Sequence, residues 1–168
     1  MNSLGAETIV GVVGAGAMGS GIAQVALARG HRVRLTDASP AAVYKGRDTM
    51  AASLQREVDK GRMTADAMQG ALERLELVEP ERGVGPLRDC GLVIEAVIEQ
   101  LDVKQATFRA LEEVVASDCI LATNTSSLSI ASIAAGCKHP ERVLGVHFFN
   151  PATVLPLVEI VAGVRTDA

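Results

Sequence analysis

His147 and Glu159 are residues of the types that carry out general-base catalysis when they meet. His147 directly follows the apolar run Val143–Val146, and Glu159 interrupts the apolar run Val154–Val164. A carboxylate within such a run either faces solvent at a sheet edge or is buried with a partner. A carboxylate bonded to an imidazole fixes its tautomer and stabilises the imidazolium that forms. The residues alone leave two interpretations open: a catalytic pair, or a packed histidine and a solvated glutamate.

A group of glycines has the spacing of a dinucleotide-binding turn. Gly14-Ala15-Gly16-Ala17-Met18-Gly19 fits G-x-G-x-x-G between a strand and a helix, and Asp37 ends the next strand. Gly14 permits the tight turn, Gly16 allows a pyrophosphate to approach the backbone, and Gly19 lets the helix pack close to the sheet. Asp37 would accept hydrogen bonds from a ribose and repel a 2′-phosphate, which favours NAD over NADP. The fingerprint by itself leaves open FAD, and also a glycine-rich turn that binds nothing.

Strand-like and helix-like segments alternate along the chain, as is typical of a parallel sheet with helices on both faces. An Ala-rich helix is predicted over Met18–Arg29. The stretch Ala41–Arg74 has a helical composition, broken near Gly61 and restarted after Thr64, which predicts a helical hairpin between the second and third strands. The predicted fold is therefore α/β and Rossmann-like, doubly wound around a mainly parallel sheet, with an inserted helical hairpin. The predicted strands are Thr8–Val13, Arg32–Thr36, Leu92–Ala96, Ile120–Thr123, Val143–Val146 and Leu157–Val161.

Polar side chains follow several of these strands, at the point where each strand ends. Because parallel strands place their carboxyl ends at one edge of a sheet, where ligands bind, these side chains are expected to converge there. They are Glu99, Lys104, Asn124, Thr125, Ser126, Ser127, His147 and Asn150.

The composition excludes several classes of function. The formal charge is -4 with scattered basic residues, one Tyr and no Trp, so no nucleic-acid surface is predicted. The longest apolar stretches are far shorter than the roughly 20 residues of a membrane span, which predicts no membrane partner. The first residues, Met1–Glu7, have no secretory pattern, which favours the cytoplasm. Three isolated cysteines are expected to be structural, and no metal site is predicted.

Three motifs together resemble the 3-hydroxyacyl-CoA dehydrogenase family. They are the glycine run continued as Ser20-Gly21-Ile22-Ala23-Gln24, the run Asn124-Thr125-Ser126-Ser127-Leu128, and the run His147-Phe148-Phe149-Asn150-Pro151. Glu95-Ala96-Val97-Ile98-Glu99 with Lys104 is similar to the family's segment at that place. The resemblance extends over essentially the whole chain, and the His147–Pro151 run is its most specific part.

The resemblance implies a role for each candidate residue. His147 would take the proton of the substrate's 3-hydroxyl while a hydride leaves C3 for the nicotinamide, and Glu159 would hold the imidazole. Ser126 would hydrogen-bond near the substrate oxygen and the nicotinamide. The other implied contacts are the glycine turn, Asp37, Glu99 and Lys104 for NAD, Ser53 and Lys60 for coenzyme A, and Asn150 for the substrate.

The resemblance also implies a second, mostly helical domain that closes the active site and forms a homodimer. Residues 1–168 are thus expected to be an NAD-binding domain that ends before its last elements, binding NAD with little or no turnover alone. Fatty-acid β-oxidation is one pathway that uses such enzymes, and the acyl chain length is left open. Two alternatives remain: an NAD-binding module without catalysis, and a hydroxyisobutyrate-type β-hydroxyacid dehydrogenase, which shares G-x-G-x-M-G but relies on a catalytic lysine.

Overall fold

A seven-stranded sheet forms the centre of the part of the chain that the structure describes. The computed structural model describes residues 4–5 and 7–167; the predicted domain bounds 1 and 168, and most of the N-terminal stretch read for a signal, lie outside them. The strand order is β3-β2-β1-β4-β5-β6-β7, parallel except for β7, which pairs antiparallel with β6. The strands are β1 (Val10–Val13), β2 (Val33–Thr36), β3 (Leu75–Val78), β4 (Leu92–Glu95), β5 (Ile120–Thr123), β6 (Val143–Phe148) and β7 (Val158–Ala162).

Within the described residues, five helices connect and cover the strands. The hydroxyls of Ser39 and Thr64 accept backbone N–H bonds at the starts of the second and third helices, as expected of N-cap residues. Short 3₁₀ turns occur at Pro80–Arg82, Gly85–Asp89 and Pro140–Arg142. The helices are α1 (Ala17–Ala28), α2 (Pro40–Asp59), α3 (Ala65–Glu73), α4 (Leu101–Glu112) and α5 (Ile130–Ala134).

The four inner strands of the sheet, β1, β2, β4 and β5, are largely buried on both faces, which confirms the doubly wound prediction. Adjacent strand residues belong to different core clusters: Val12 and Ile94 pack with α1, α2 and α3, whereas Val13 and Val93 pack with α4 and α5. Because successive side chains of a strand point to opposite faces, the two clusters lie on opposite sides of the sheet. The strand order reverses between β1 and β4, so their carboxyl ends border the crevice where such folds bind ligands.

Two elements differ from the sequence predictions. β3 (Leu75–Val78) was not predicted; it is a four-residue outer strand that is mostly half-buried, and its Glu76 pairs with Arg34 at 2.9 Å. The predicted helical hairpin is present as α2 and α3, and it forms the connection from β2 to this additional strand. β6 also continues through His147 to Phe148, because β7 pairs with it along that length.

Candidate active site

Two glycines of the first turn are required by contacts within the protein. Gly14 has φ +105°, and a Cβ there would lie 2.5 Å from the carbonyl oxygen of Ala96. A Cβ on Gly19 would lie 1.8 Å from the carbonyl oxygen of Gly14. These distances are far below van der Waals contact, so larger residues would force β1, α1 and β4 apart. The turn is thereby held close to the end of β4.

Gly16 differs from these two glycines, because no protein atom within 4 Å would meet a Cβ there. It is the N-cap of α1, its φ of -67° is open to any residue, and no side chain caps the helix. The first-turn N–H groups of a helix lack intrahelical partners and attract anions. The space over Gly16 and these donors therefore fit the pyrophosphate of a dinucleotide.

Asp37 lies beside this turn, at the end of β2. Its Oδ2 accepts the N–H of Ala15 at 2.7 Å, and its Oδ1 accepts the N–H of Ser39 at 2.9 Å. Each carboxylate oxygen has a further lone pair for another donor. The carboxylate is thus fixed next to the turn and can accept ribose hydroxyls.

A buried ion pair lies beneath the end of β4. Glu95 is 0% exposed and Lys104 is 1% exposed, and their Oε1 and Nζ atoms are 2.6 Å apart. The hydroxyl of Thr123 donates to the other oxygen of Glu95 at 2.7 Å. Lys104 also lies 3.3 Å from Glu99 Oε2. Lys104 was predicted from the sequence to line the NAD site. In the structure its ammonium group contacts the carboxylates of Glu95 and Glu99.

Glu99 connects this ion pair to the segment after β5. Its Oε1 accepts bonds from the hydroxyls of Thr125 and, at 3.3 Å, Ser127. Partial burial raises the pKa of Glu99, but the Thr125 hydrogen bond and the charge of Lys104 outweigh it and hold the pKa below its ordinary value. The carboxylate is therefore kept ionised.

His147 and Glu159 stand directly opposite each other on β6 and β7. The imidazole Nδ1 lies 2.9 Å from Glu159 Oε2, with the His147 side chain 20% exposed and that of Glu159 55% exposed. Glu159 therefore faces solvent on an edge strand and also has a partner. If Nδ1 donates to the carboxylate, Nε2 keeps its lone pair and can accept a proton.

One cavity of about 370 Å³ brings six of the predicted site residues together. Its wall also includes Phe148 and Phe149, and the Phe149 ring lies 4.7 Å from the imidazole of His147. The two aromatic rings form an apolar part of the cavity wall beside the polar groups. The predicted residues at this cavity are Met18, Glu99, Lys104, Ser126, His147 and Asn150.

Ser53 and Lys60 lie in a separate groove of about 710 Å³ between α1, α2 and the segment after β6. Ser53 accepts a hydrogen bond from Gln24 at 3.0 Å, and Lys60 lies 3.9 Å from Glu57. The groove borders Pro151, while the cavity at His147 borders Asn150, so the two spaces adjoin along the chain.

The sequence analysis missed Glu95 as a site residue, although a signal for it exists. Glu95 is the last residue of an apolar strand, and Lys104 is the nearest following cation. A carboxylate in that position requires a partner because an unpaired buried charge is very costly. Within residues 4–5 and 7–167, no group of three or more metal-binding side chains is present, and no helix is long and apolar enough to cross a membrane.

The fold and the glycine turn define a dinucleotide-binding domain of the Rossmann type. Residues 9–168 match the family model described as "3-hydroxyacyl-CoA dehydrogenase, NAD binding domain". The chain therefore belongs to this family, and its cofactor is NAD, as predicted.

Curated relatives and solved structures agree with the family. A 3-hydroxyadipyl-CoA dehydrogenase of Escherichia coli (strain K12) is 47% identical over 95% of the chain and 33% of that protein. A 3-hydroxybutyryl-CoA dehydrogenase of Mycobacterium tuberculosis is 46% identical over 94% of the chain and 54% of that protein. A crystal structure of 3-hydroxybutyryl-CoA dehydrogenase from Escherichia coli K12 superposes with a TM-score of 0.92 at 46% identity, over 96% of this chain and 34% of that one. The chain thus spans a third to a half of these relatives.

Proposed function

We propose that the chain provides the NAD site and the catalytic base for oxidation of a (3S)-3-hydroxyacyl-CoA to the 3-oxoacyl-CoA. The observation that carries the proposal is the His147–Glu159 pair at a cavity shared with Met18 of the glycine turn. The reaction removes a proton from the 3-hydroxyl and a hydride from C3. Bound NAD supplies the hydride acceptor.

In this proposal the protein moves the proton and orients the reactants. His147 Nε2 takes the hydroxyl proton, because Nδ1 is held by Glu159 at 2.9 Å. Glu159 then stabilises the imidazolium. Ser126 donates to the substrate oxygen, and Asn150 contacts the substrate; both line the same cavity as His147.

The cofactor site follows from the glycine turn and the end of β2. The open space at Gly16 receives the pyrophosphate, and Asp37 accepts the ribose hydroxyls. The negative charge of Asp37 gives the preference for NAD over NADP. Glu99 lines the nicotinamide end, with Lys104 setting its position from below.

The groove at Ser53 and Lys60 is proposed to bind coenzyme A. Its wall carries Arg56, Lys60 and Arg62, and such cations suit the phosphates of the coenzyme. Glu57 pairs with Lys60 and Arg62 and would keep both side chains along the groove. Because the groove adjoins the cavity at His147, one acyl-CoA molecule can extend across both.

Turnover of acetoacetyl-CoA with NADH tests the base directly, in the gene product that contains this chain. His147→Gln should lower kcat by about 10²- to 10⁴-fold, the usual contribution of a general base, and leave the Kd of NADH nearly unchanged. His139→Gln is the matched control, since His139 is exposed and outside the cavity. Near-wild-type turnover by His147→Gln would reject the assignment.

We also expect the 168-residue chain alone to bind NADH with little turnover. Glu159 is largely exposed, and catalysis of this kind gains from excluding water. A module that binds NAD without catalysis is the second candidate function, and this exposure favours it for the isolated chain. A homodimer through a further helical domain, a cytoplasmic location and a place in fatty-acid β-oxidation remain predictions.

A further inference from the structure

The part of β6 that carries His147 extends beyond the end of its inner neighbour, β5. The pairing of β5 with β6 ends at Thr123 and Gly145. On the other side β7 continues to pair with β6, with His147 opposite Glu159 and Phe148 opposite Val158. The last residues of β6 therefore have a neighbouring strand on one side only, and all five residues of that strand are exposed.

A side chain takes the place of the missing strand on the inner side. Asn124 follows β5 directly, and its Oδ1 accepts the backbone N–H of Phe148 at 2.8 Å. The N–H of Asn124 itself donates to the carbonyl of Glu95 at 2.8 Å. Asn124 is thus joined to β4 through its backbone and to the end of β6 through its carboxamide.

We propose that Asn124 is a positioning residue for the base, fixing the end of β6 so that His147 faces the cavity. This inference rests on the proposed function, because it takes His147 as the base. Asn124 lines the same cavity as His147 and Ser126. Without the carboxamide, the Phe148 N–H loses its acceptor, and the base is held only through the exposed pairing with β7.

The hydrogen bond to Phe148 uses the oxygen of the Asn124 carboxamide, not its nitrogen. Since Oδ1 accepts from the backbone, Nδ2 remains as the donor at the cavity wall. Asn124→Asp keeps an acceptor and removes that donor, whereas Asn124→Ala removes both. The pair of variants therefore separates the bond to Phe148 from any contact that Nδ2 makes with a ligand.

The experiment has a structural and a kinetic readout. Hydrogen exchange of the Phe148 amide is measured in this chain, and acetoacetyl-CoA turnover in the gene product that contains it. Asn124→Ala should speed exchange at Phe148 by about tenfold, as expected for one lost hydrogen bond. It should lower kcat by about 10- to 100-fold through misplacement of the base, with little change in the KM for NADH. Asn124→Asp should restore most of both losses.

Ser129→Ala is the matched control, because it removes another side-chain-to-backbone bond, to Ser132 N, at the start of α5. It should change neither Phe148 exchange nor kcat. If Asn124→Ala does not fold, Asn124→Ser keeps a polar group too short to reach Phe148 and should give the same losses.

Three results would overturn the proposal: unchanged Phe148 exchange in Asn124→Ala, equal impairment of the Asp and Ala variants, or the same losses in Ser129→Ala. Failure of the proposed function is distinguishable, since it appears as retained turnover in His147→Gln. The exchange result at Phe148 does not depend on that turnover.

Discussion

The glycine turn and the β6–β7 edge are built in opposite ways. At the turn, Gly14 and Gly19 contact backbone atoms so closely that a single methyl group does not fit. At the edge, every residue of β7 is exposed, and the His147–Glu159 pair is made by side chains across one antiparallel ladder. The first region is shaped by backbone and burial, and the second by side-chain hydrogen bonds close to water.

We therefore expect changes at the glycine turn to affect cofactor binding and stability, and changes at the β6–β7 edge to affect the rate of the reaction. A backbone cradle binds whatever dinucleotide fits it, and damage to it disturbs the fold as well as the ligand. A side-chain pair on an edge strand can be changed with little effect on the fold, so its loss should appear in turnover alone.

The largest effect is expected at the buried ion pair between the two regions. Lys104→Met leaves the Glu95 carboxylate fully buried without its cation, and should reduce the free energy of unfolding by about 3–5 kcal/mol in urea titrations. The double variant with Glu95→Gln should recover part of this loss. Lys45→Met, at an exposed position on α2, should change it by less than about 0.5 kcal/mol. A Lys104→Met protein as stable as this control would mean that Lys104 does not compensate the buried charge of Glu95.

Two glycines of the same turn should respond differently to the same substitution. Gly19→Ala places a Cβ 1.8 Å from the Gly14 carbonyl oxygen and should cost about 3 kcal/mol or more of stability. Gly16→Ala meets open space, and because alanine is a poorer N-cap than glycine it should cost about 1 kcal/mol of stability. It should nevertheless weaken NADH binding by about tenfold, because the methyl group occupies the place of the pyrophosphate. Calorimetry that finds unchanged NADH affinity in Gly16→Ala would remove the pyrophosphate from this position.

Glu159→Gln should show the reverse pattern at the exposed edge. It keeps an oxygen near His147 Nδ1 but removes the charge that stabilises the imidazolium, so kcat should fall by at least about tenfold. The melting temperature and the Kd of NADH should stay close to those of the wild type. Equal losses of stability and turnover would mean that the pair is structural.

The smallest effect concerns acid stability at Glu99. The pKa of Glu99 is lower in the folded protein than its ordinary value of 4.5. At pH values between the folded pKa and 4.5, the unfolded state therefore binds more protons than the folded state. The contribution of Glu99 is therefore present above about pH 4.5 and is lost as the pH falls through the folded pKa. Glu99→Gln should flatten the decline of stability below pH 4.5 slightly, as Glu99 is partly exposed. An unchanged acid profile would argue against the contacts with Thr125 and Lys104.

The sequence predicted best those parts of the site that are formed by residues close together along the chain. The glycine turn, Asp37 and the polar residues after the strands could be placed because local patterns specify a strand, a turn and a helix. Six of the strands and the helical hairpin were predicted near their observed positions. β3 was missed since Leu75–Val78 is short, contains Glu76 and is mostly half-buried.

The contacts that set the site geometry depend on register between distant segments. The strand prediction for β6 stopped before His147, because only pairing with β7 extends it to Phe148. The bond from Phe148 to Asn124 spans 24 residues, and it requires β5 to end where it does. The distances from Lys104 to its two carboxylate partners likewise depend on how α4 packs against the sheet.

The cofactor bound at the glycine turn is expected to reach His147 on β6. The chain has three histidines, so the ring nitrogen resonances of each can be assigned and followed as NADH is added. We expect a clear change at His147, with His31 and His139 unaffected, and loss of that change in Gly16→Ala. If NADH binds to saturation and the His147 resonances do not move, the cofactor does not reach His147.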